Sequence, residues 1–196
     1  MAASFAPHSP ADIVRLIAEY PLAWVISRDF QSTPLPLMAE TDEQGNIATL
    51  VGHFARRNPQ VAALMADPGA LILFQGPQGY ISPRIVSKPA WGPTWNYAVA
   101  RFEVSIDFVP EEIDDAIRHM AAHLERDRDD PWVVEDMGPR YADMRRYIIG
   151  FRATVRHAHV TFKLGQDEDA QVFKEITTAL GATPLGQWMS GQRNPG

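Results

Sequence analysis

Two stretches of the chain carry the side chains most suited to binding a small ligand. The first, residues 52–59, has the sequence GHFARRNP and places Arg56 and Arg57 just before Asn58 and Pro59. Asn is a favoured N-cap and Pro is favoured at the first helical position, so a helix is predicted to begin at Pro59. Its free N–H groups and the two guanidinium groups would bind an anion such as a phosphate. The alternative is a capped helix with two solvated arginines.

The second stretch, residues 74–101, begins and ends like a β-strand but is interrupted by Gly, Pro, aromatic and hydroxyl residues. Aromatic faces, hydroxyls, a Lys and an Asn around fixed turns suit a flat ligand with polar edges. An edge hairpin with a Pro-rich turn is the alternative. Together the two stretches suit a ligand with a phosphate and a planar heteroaromatic ring. Flavin mononucleotide (FMN), pyridoxal phosphate and a nucleotide all fit, and the chemistry alone does not separate them.

Common catalytic and metal-binding motifs are absent from the sequence. It contains no G-x-G-x-x-G, G-x-x-x-x-G-K-[ST], G-x-S-x-G or H-E-x-x-H pattern. His119 and His123 have the spacing of a metal-binding pair, but no third ligand accompanies them. His157 and His159 share one strand face with Lys163, and a solvated face is the favoured interpretation. We therefore predict no catalytic residue and no metal site.

The composition is that of an ordinary globular protein. The 196 residues are 45% hydrophobic and 21% charged, which fits a single domain, and no apolar run is long enough to cross a membrane. The net charge of −6 argues against direct DNA binding, which needs a basic surface. The absence of cysteine excludes disulfides and thiolate sites. The N-terminus lacks the pattern of a signal peptide, so a cytoplasmic location is expected.

Secondary structure is predicted from hydrophobic spacing and from turn and cap residues. Residues 102–108 alternate between apolar and polar, as in a half-buried strand. Further strands are expected at 22–26, 33–39, 47–51, 70–74 and 152–164. Helices are expected from Pro10, over 59–65, from Pro110, over 141–149 with Gly150 ending the last of these, and after Asp169.

These elements predict an α+β fold that is mainly β, with an antiparallel sheet. Strands and helices do not alternate regularly enough for a doubly wound parallel sheet. A small barrel with helical additions is expected, because closing the sheet removes exposed edges. The predicted organisation is one domain over 1–196, with a helical insertion at about 110–150 and a flexible tail at 186–196.

Several phrases of the sequence resemble the PaiB-type FMN-binding negative transcriptional regulators. The resemblance extends from about residue 5 to residue 180, and its two longest phrases are idiosyncratic. The phrases are PLPL at 34–37, GHFARRNPQ at 52–60, LILFQGPQGYISP at 71–83, SK at 87–88, PTWNYAVA at 93–100 and KLGQ at 163–166.

The resemblance implies an FMN-binding split β-barrel, shared with pyridoxamine-phosphate oxidases and flavin reductases. It also implies a homodimer with FMN near the subunit interface. The cofactor-binding residues that it implies are His53, Arg56, Arg57, Asn58, Tyr80, Ser82, Lys88, Trp95 and Asn96. Arg57 stands where the family more often has a small residue, and Gly165 and Asp167 replace its usual Ser and Asn.

The predicted function is that of an FMN-binding protein with a regulatory role or flavin-dependent redox activity. In the redox case the flavin performs the electron transfer, so no catalytic triad is expected. The alternative is a flavin-free dimeric interaction module that acts indirectly in regulation.

Overall fold

The computed structural model describes residues 5–193 and shows an antiparallel sheet of seven strands with helices around it. The strands are β1 (Leu22–Ser27), β2 (Ser32–Pro36), β3 (Met38–Thr41), β4 (Ile47–Ala55), β5 (Gly69–Ile81), β6 (Thr94–Phe108) and β7 (Ile148–Lys163). The helices are α1 (Pro10–Glu19), α2 (Pro59–Ala66), α3 (Ile113–Glu125), α4 (Arg140–Arg145), α5 (Ala170–Leu180) and α6 (Pro184–Arg193). Short 3-10 helices cover Pro83–Ile85, Pro110–Glu112 and Val134–Met137. Of the helices in residues 5–193, none has the length and apolar composition needed to cross a membrane.

The strand order β2-β1-β5-β6-β7-β4-β3 leaves β2 and β3 as the two edges of the sheet. Only Leu37 separates these edge strands along the chain. Leu37 is buried, and its N–H donates to the carbonyl of Pro21 at 2.9 Å. The chain connection therefore holds the two edges near each other, and in the part of the chain from residue 5 to residue 193 no hydrogen-bonded ladder joins β2 to β3. The α+β split-barrel prediction is confirmed.

Alternating side chains of the long strands fill the interior. Phe102, Val104 and Ile106 are buried as their spacing predicted. Phe54 and Phe151 pack with their rings tilted by 38° and their centroids 5.1 Å apart, and Phe74 meets Phe102 edge-on at 6.0 Å. The hydrophobic effect on these inward faces specifies the strand register, because a one-residue slip would turn them to solvent.

Two predicted boundaries near residues 52 and 149 are corrected. Strand β4 continues past Val51 to Ala55, so the junction before α2 shrinks to residues 56–58. Helix α4 ends at Arg145, and Gly150 lies within β7 opposite His53 instead of ending a helix. A Cβ at Gly150 would lie 3.1 Å from the carbonyl oxygen of Val109, so glycine permits this close approach. Both faces of β7 are covered here, which removes the alternation that identifies a strand.

The hairpin of β5 and β6 is longer than the sequence predicted. The interruption at Gly76 and Pro77 is a bulge within β5, and regular pairing resumes at Gln78. Only residues 82–93 separate the two strands. Because β5 lies between β1 and β6, this is a central hairpin and not an edge one.

The C-terminal residues that were expected to form a flexible tail are helical through residue 193. Leu185, Trp188 and Met189 of α6 are buried in the main core. Trp188 also donates from Nε1 to Glu19 at 2.7 Å and lies under the guanidinium of Arg15. These contacts stabilise α6 although its sequence has a weak helical pattern. Residues 194–196 lie outside the described part of the chain.

Gln60, in the first turn of α2, makes a buried polar contact that joins α2 to β1 and β2. Its Nε2 donates to the carbonyls of Val25 at 2.9 Å and Gln31 at 3.0 Å, and its Oε1 accepts from Thr33. We expect Gln60→Leu to lower the free energy of unfolding by about 2–4 kcal/mol, because the carbonyls of Val25 and Gln31 lose the amide donor of Gln60 and the hydroxyl of Thr33 loses its acceptor. Urea unfolding measures this loss. The exposed Gln44→Leu serves as control and should change stability by less than about 0.5 kcal/mol; equal stability of the two variants would contradict the prediction.

Candidate functional site

The two arginines that follow β4 line an open cavity of about 460 Å³. The backbone N–H of Arg56 donates to the carbonyl of Tyr147 at 2.8 Å, which holds the segment after α4 against the end of β4. Within residues 5–193 neither Arg56 nor Arg57 forms an ion pair. Two guanidinium groups without carboxylate partners are available to bind an anion. The lining residues are Ala55, Arg56, Arg57, Met144, Arg146, Tyr147 and Ile148.

A second cavity of about 540 Å³ adjoins the first and shares Arg56 and Arg146 with it. Its wall also includes Arg145 and one carboxylate residue, Glu111. The cationic surface therefore extends from the end of β4 to the helical segment after β6.

Asn58 has the structural role predicted for it. Its Oδ1 accepts from the N–H of Gln60 at 2.9 Å, which caps α2, and its Nδ2 donates to Thr33 at 2.9 Å. These bonds fix the start of α2, and with it the direction in which the chain leaves Arg56 and Arg57.

His53 lies on the same face of β4 as Ala55, which lines the cavity. It pairs with Gly150, and the backbone of Val109 and the side chain of Ile113 cover that position. This burial lowers the pKa of His53 below its ordinary value of 6.5. The imidazole is consequently held neutral near pH 7.

The depressed pKa of His53 predicts a pH-dependent stability. Between pH 6.5 and the lower folded-state pKa the unfolded chain binds more protons than the folded chain, so the free energy of unfolding falls as pH drops below about 6.5. We expect His53→Gln to reduce this fall in the free energy of unfolding. Urea unfolding of ligand-free protein at pH 7.5 and pH 5.5 measures the change in the free energy of unfolding. An identical pH dependence in the native and His53→Gln proteins would contradict the assignment.

Tyr80 and Trp95 form an exposed aromatic pair where β5 and β6 approach their shared loop. They are directly opposite in register, and their ring centroids lie 6.0 Å apart at 53°. Trp95 Nε1 donates to Gln78 at 2.6 Å. The two side chains remain 55% and 51% exposed, so their ring surfaces are free to contact a planar ligand or another chain.

The other predicted residues of this stretch are bound within the chain. Ser82 caps a 3-10 turn by accepting from the N–H of Arg84 at 3.2 Å. Lys88 pairs with Asp169, the N-cap of α5, at 2.9 Å. Asn96 is buried and donates to the sulfur of Met189 at 3.5 Å. These contacts attach the loop and β6 to α5 and α6.

The arginine and aromatic groups lie at opposite ends of β7. Ala55, next to Arg56, pairs with Ile148 at one end, and Tyr97, two residues after Trp95, pairs with Lys163 at the other. Fifteen residue steps along a strand correspond to roughly 50 Å of contour. The structure thus groups His53, Arg56 and Arg57 in one place, and Tyr80 and Trp95 in another.

An exposed apolar surface on the outer side of the sheet was missed from the sequence. Leu22 and Trp24 of β1 are 62% and 46% exposed, whereas Ala23 and Val25, which alternate with them along the strand, are buried. Trp24 lies opposite Leu73 of β5. The signal in the sequence is the apolar run from Leu22 to Ile26, which predicts a strand but does not tell which of its faces is exposed. Exposed apolar surface of this kind is typical of a contact with another molecule.

No group of three or more His, Asp or Glu side chains within residues 5–193 is arranged to hold a metal ion. His157 and His159 are exposed on β7, and His159 lies 3.6 Å from Glu103.

A family model described as "Putative FMN-binding domain" matches residues 1–157. The chain belongs to this FMN-binding family. The resemblance to PaiB-type proteins is confirmed by a relative named protease synthase and sporulation protein PAI 2 from Bacillus subtilis, which is 29% identical over 133 residues. That match covers 67% of this chain and 64% of the relative. An uncharacterised protein from Aspergillus fumigatus is 30% identical over 179 residues, covering 68% of this chain and 69% of the relative.

Solved structures share the fold of this FMN-binding domain at low sequence identity. An FAD and heme binding protein from Mycobacterium smegmatis matches with a TM-score of 0.60 and 15% identity, over 89% of this chain and 80% of that one. A protein from Bacteroides thetaiotaomicron described as a "putative 5-nitroimidazole antibiotic resistance protein" matches with a TM-score of 0.55 and 12% identity, over 79% of this chain and 84% of that one. These likenesses support the split-barrel architecture, and FMN is the cofactor of the family.

Proposed function

We propose that the protein is a homodimer that binds FMN between its two subunits. The FMN phosphate is bound by Arg56 and Arg57 of one subunit, beside His53. The isoalloxazine ring lies near Tyr80 and Trp95 of the partner subunit.

The observation that carries this proposal is the separation of the two groups along β7. One FMN molecule is far shorter than the roughly 50 Å of strand contour between them. The two groups of one chain therefore lie at the two ends of β7, and we assign them to different FMN molecules. A second chain placed against the sheet would bring the aromatic pair of one subunit near the arginine pair of the other.

The apolar outer face of β1 supports the dimer. Leu22 and Trp24 are large, exposed and adjacent to the half-buried Leu73 of β5. Aromatic and aliphatic anchors of this kind are enriched in the centre of protein interfaces. Burying this face in a second copy of the chain removes it from water.

The proposed activity is regulatory or redox, and the flavin supplies the electron chemistry when it is bound. This chain supplies the phosphate contacts, the ring contacts and a dimer that excludes water from the ring. With a net charge of −6, we favour an indirect regulatory effect over direct DNA binding. The regulatory part of the proposal is also supported by the resemblance to the relative named protease synthase and sporulation protein PAI 2. A cytoplasmic location remains part of this proposal.

Titration with FMN and riboflavin tests the proposal. We expect FMN to raise the midpoint of thermal unfolding and to bind at least about tenfold more tightly than riboflavin, because only FMN carries the phosphate. Fluorescence quenching of the flavin gives the dissociation constants. Absence of both binding and thermal stabilisation at saturating FMN would favour the alternative, a flavin-free dimeric module.

A further inference from the structure

We infer that the helical segment at 110–150 contributes Arg146 and Tyr147 to the phosphate end of the flavin site. The bound phosphate then links this segment to the barrel. The inference rests on the proposed function, because it assumes that the phosphate lies at Arg56 and Arg57.

The geometry points to Arg146 because it lines both cavities together with Arg56. The first cavity is lined by three arginines and by no carboxylate residue. A phosphate dianion has three acceptor oxygens, so three guanidinium groups can each donate to it. Arg146 directly follows α4, and the next residue, Tyr147, accepts the N–H of Arg56 at 2.8 Å. This backbone hydrogen bond holds the segment that carries Arg146 beside the segment that carries Arg56 and Arg57.

Arg145 and Arg146 differ in how free their guanidinium groups are to bind a phosphate. Arg145 lies 2.7 Å from Asp114, which also accepts from the hydroxyl of Tyr141 at 2.5 Å. That network holds Arg145 against α3. Among residues 5–193, Arg146 has an ion pair only with Asp143, three residues earlier and 3.4 Å away, and both side chains are mostly exposed. Such an exposed pair contributes little and exchanges readily for a phosphate.

Tyr147 and Met144 give the same cavity an apolar wall. The ring of Tyr147 is 72% exposed, and Met144 is also exposed. A large exposed ring next to three guanidinium groups suits the carbon skeleton that continues from a phosphate. Arg146 is assigned to the phosphate and Tyr147 to the adjoining carbon chain, which riboflavin and FMN share.

The contribution of Arg146 implies that the phosphate stabilises the helical segment. Before β7 begins at Ile148, the buried hydrophobic residues of this segment are Ile113, Met120 and Val134, and all three lie outside the main core cluster. Helix α4 has six residues, none of them buried. A region with so little burial opens locally at low cost, and a ligand that bridges it to the barrel reduces that opening.

Affinity measurements on Arg146→Gln and Tyr147→Ala test the assignment. We expect Arg146→Gln to weaken FMN binding about tenfold and to leave riboflavin binding unchanged. Tyr147→Ala should weaken both ligands by the same factor. The control is Arg128→Gln, in the same segment but outside both cavities and paired with Glu125, which should bind FMN like the native protein.

Hydrogen exchange on the native dimer gives a second readout. FMN should slow exchange of the amides at 140–147, whereas riboflavin should slow them less, and Arg146→Gln should abolish the difference. Native FMN affinity in Arg146→Gln, together with weak affinity in an Arg56→Gln/Arg57→Gln protein, would overturn the inference and leave the proposed function intact. Failure of the native protein to bind FMN would overturn both.

Discussion

Replacing Arg56 and Arg57 together by glutamine is expected to weaken FMN binding by about a hundredfold or more, with no change in riboflavin binding. Each charge-assisted hydrogen bond to a phosphate contributes about 1.5–3 kcal/mol, and the lower figure applies at an exposed site. Two such contacts correspond to about 3 kcal/mol, or somewhat more than a hundredfold in the dissociation constant. Fluorescence titration of ligand-free protein with each flavin measures the ratio.

The riboflavin titration is the internal control for this pair of arginines. A variant that lost riboflavin and FMN equally would have a damaged ring site or a damaged fold, and the phosphate assignment would be wrong. Neither guanidinium has an ion-pair partner within residues 5–193, so the double variant should fold with nearly native stability. The single variant Arg57→Gln measures what the second guanidinium adds to phosphate binding.

Introducing a charge at Trp24 is expected to weaken the proposed dimer more than a hundredfold and to reduce flavin content with it. Trp24 presents a large exposed ring from β1 beside Leu73. Burying an unpaired glutamate in an interface costs about 3 kcal/mol or more, in addition to the lost aromatic contact. Size-exclusion chromatography with light scattering over a range of concentrations measures the mass of Trp24→Glu.

The matched control is Leu124→Glu on α3, a similarly exposed apolar residue away from the β1 face. It should remain dimeric and bind FMN normally. A Trp24→Glu protein that stayed dimeric at all concentrations would show that the interface lies elsewhere. One that became monomeric yet kept native FMN affinity would place the whole flavin site within one subunit.

Local sequence signals were sufficient for the elements that have one solvated face or a clear cap. The alternation of residues 102–108 identified part of β6, and Asn58-Pro59 fixed the start of α2. Local signals gave the wrong secondary structure where contacts between distant parts of the chain determine it. Ile148 and Ile149 looked helical, but they lie in β7, which is covered on both faces near Gly150. Helix α6 is stabilised by the burial of Trp188, which a weak helical pattern does not reveal.

The sequence predicted the candidate site as two separate stretches, 52–59 and 74–101, but it did not predict where they lie relative to each other. Which strands pair, and in which register, depends on contacts between residues far apart in the chain. The pairing of Ala55 with Ile148 and of Tyr97 with Lys163 is what separates the pieces. Arg146 and Tyr147 were missed for the same reason, since only the fold brings the end of α4 to Arg56.

A mixed-dimer experiment tests most directly whether the flavin lies between two subunits. Subunits carrying Arg56→Gln and Arg57→Gln are co-expressed with subunits carrying Trp95→Ala, using two different affinity tags to isolate the heterodimer. Each variant homodimer should bind FMN weakly at both sites. If the site is shared, the heterodimer has one site with both groups intact, and we predict native affinity at half of the wild-type stoichiometry. No recovery of tight binding in the heterodimer would contradict the shared site and return both groups to a single chain.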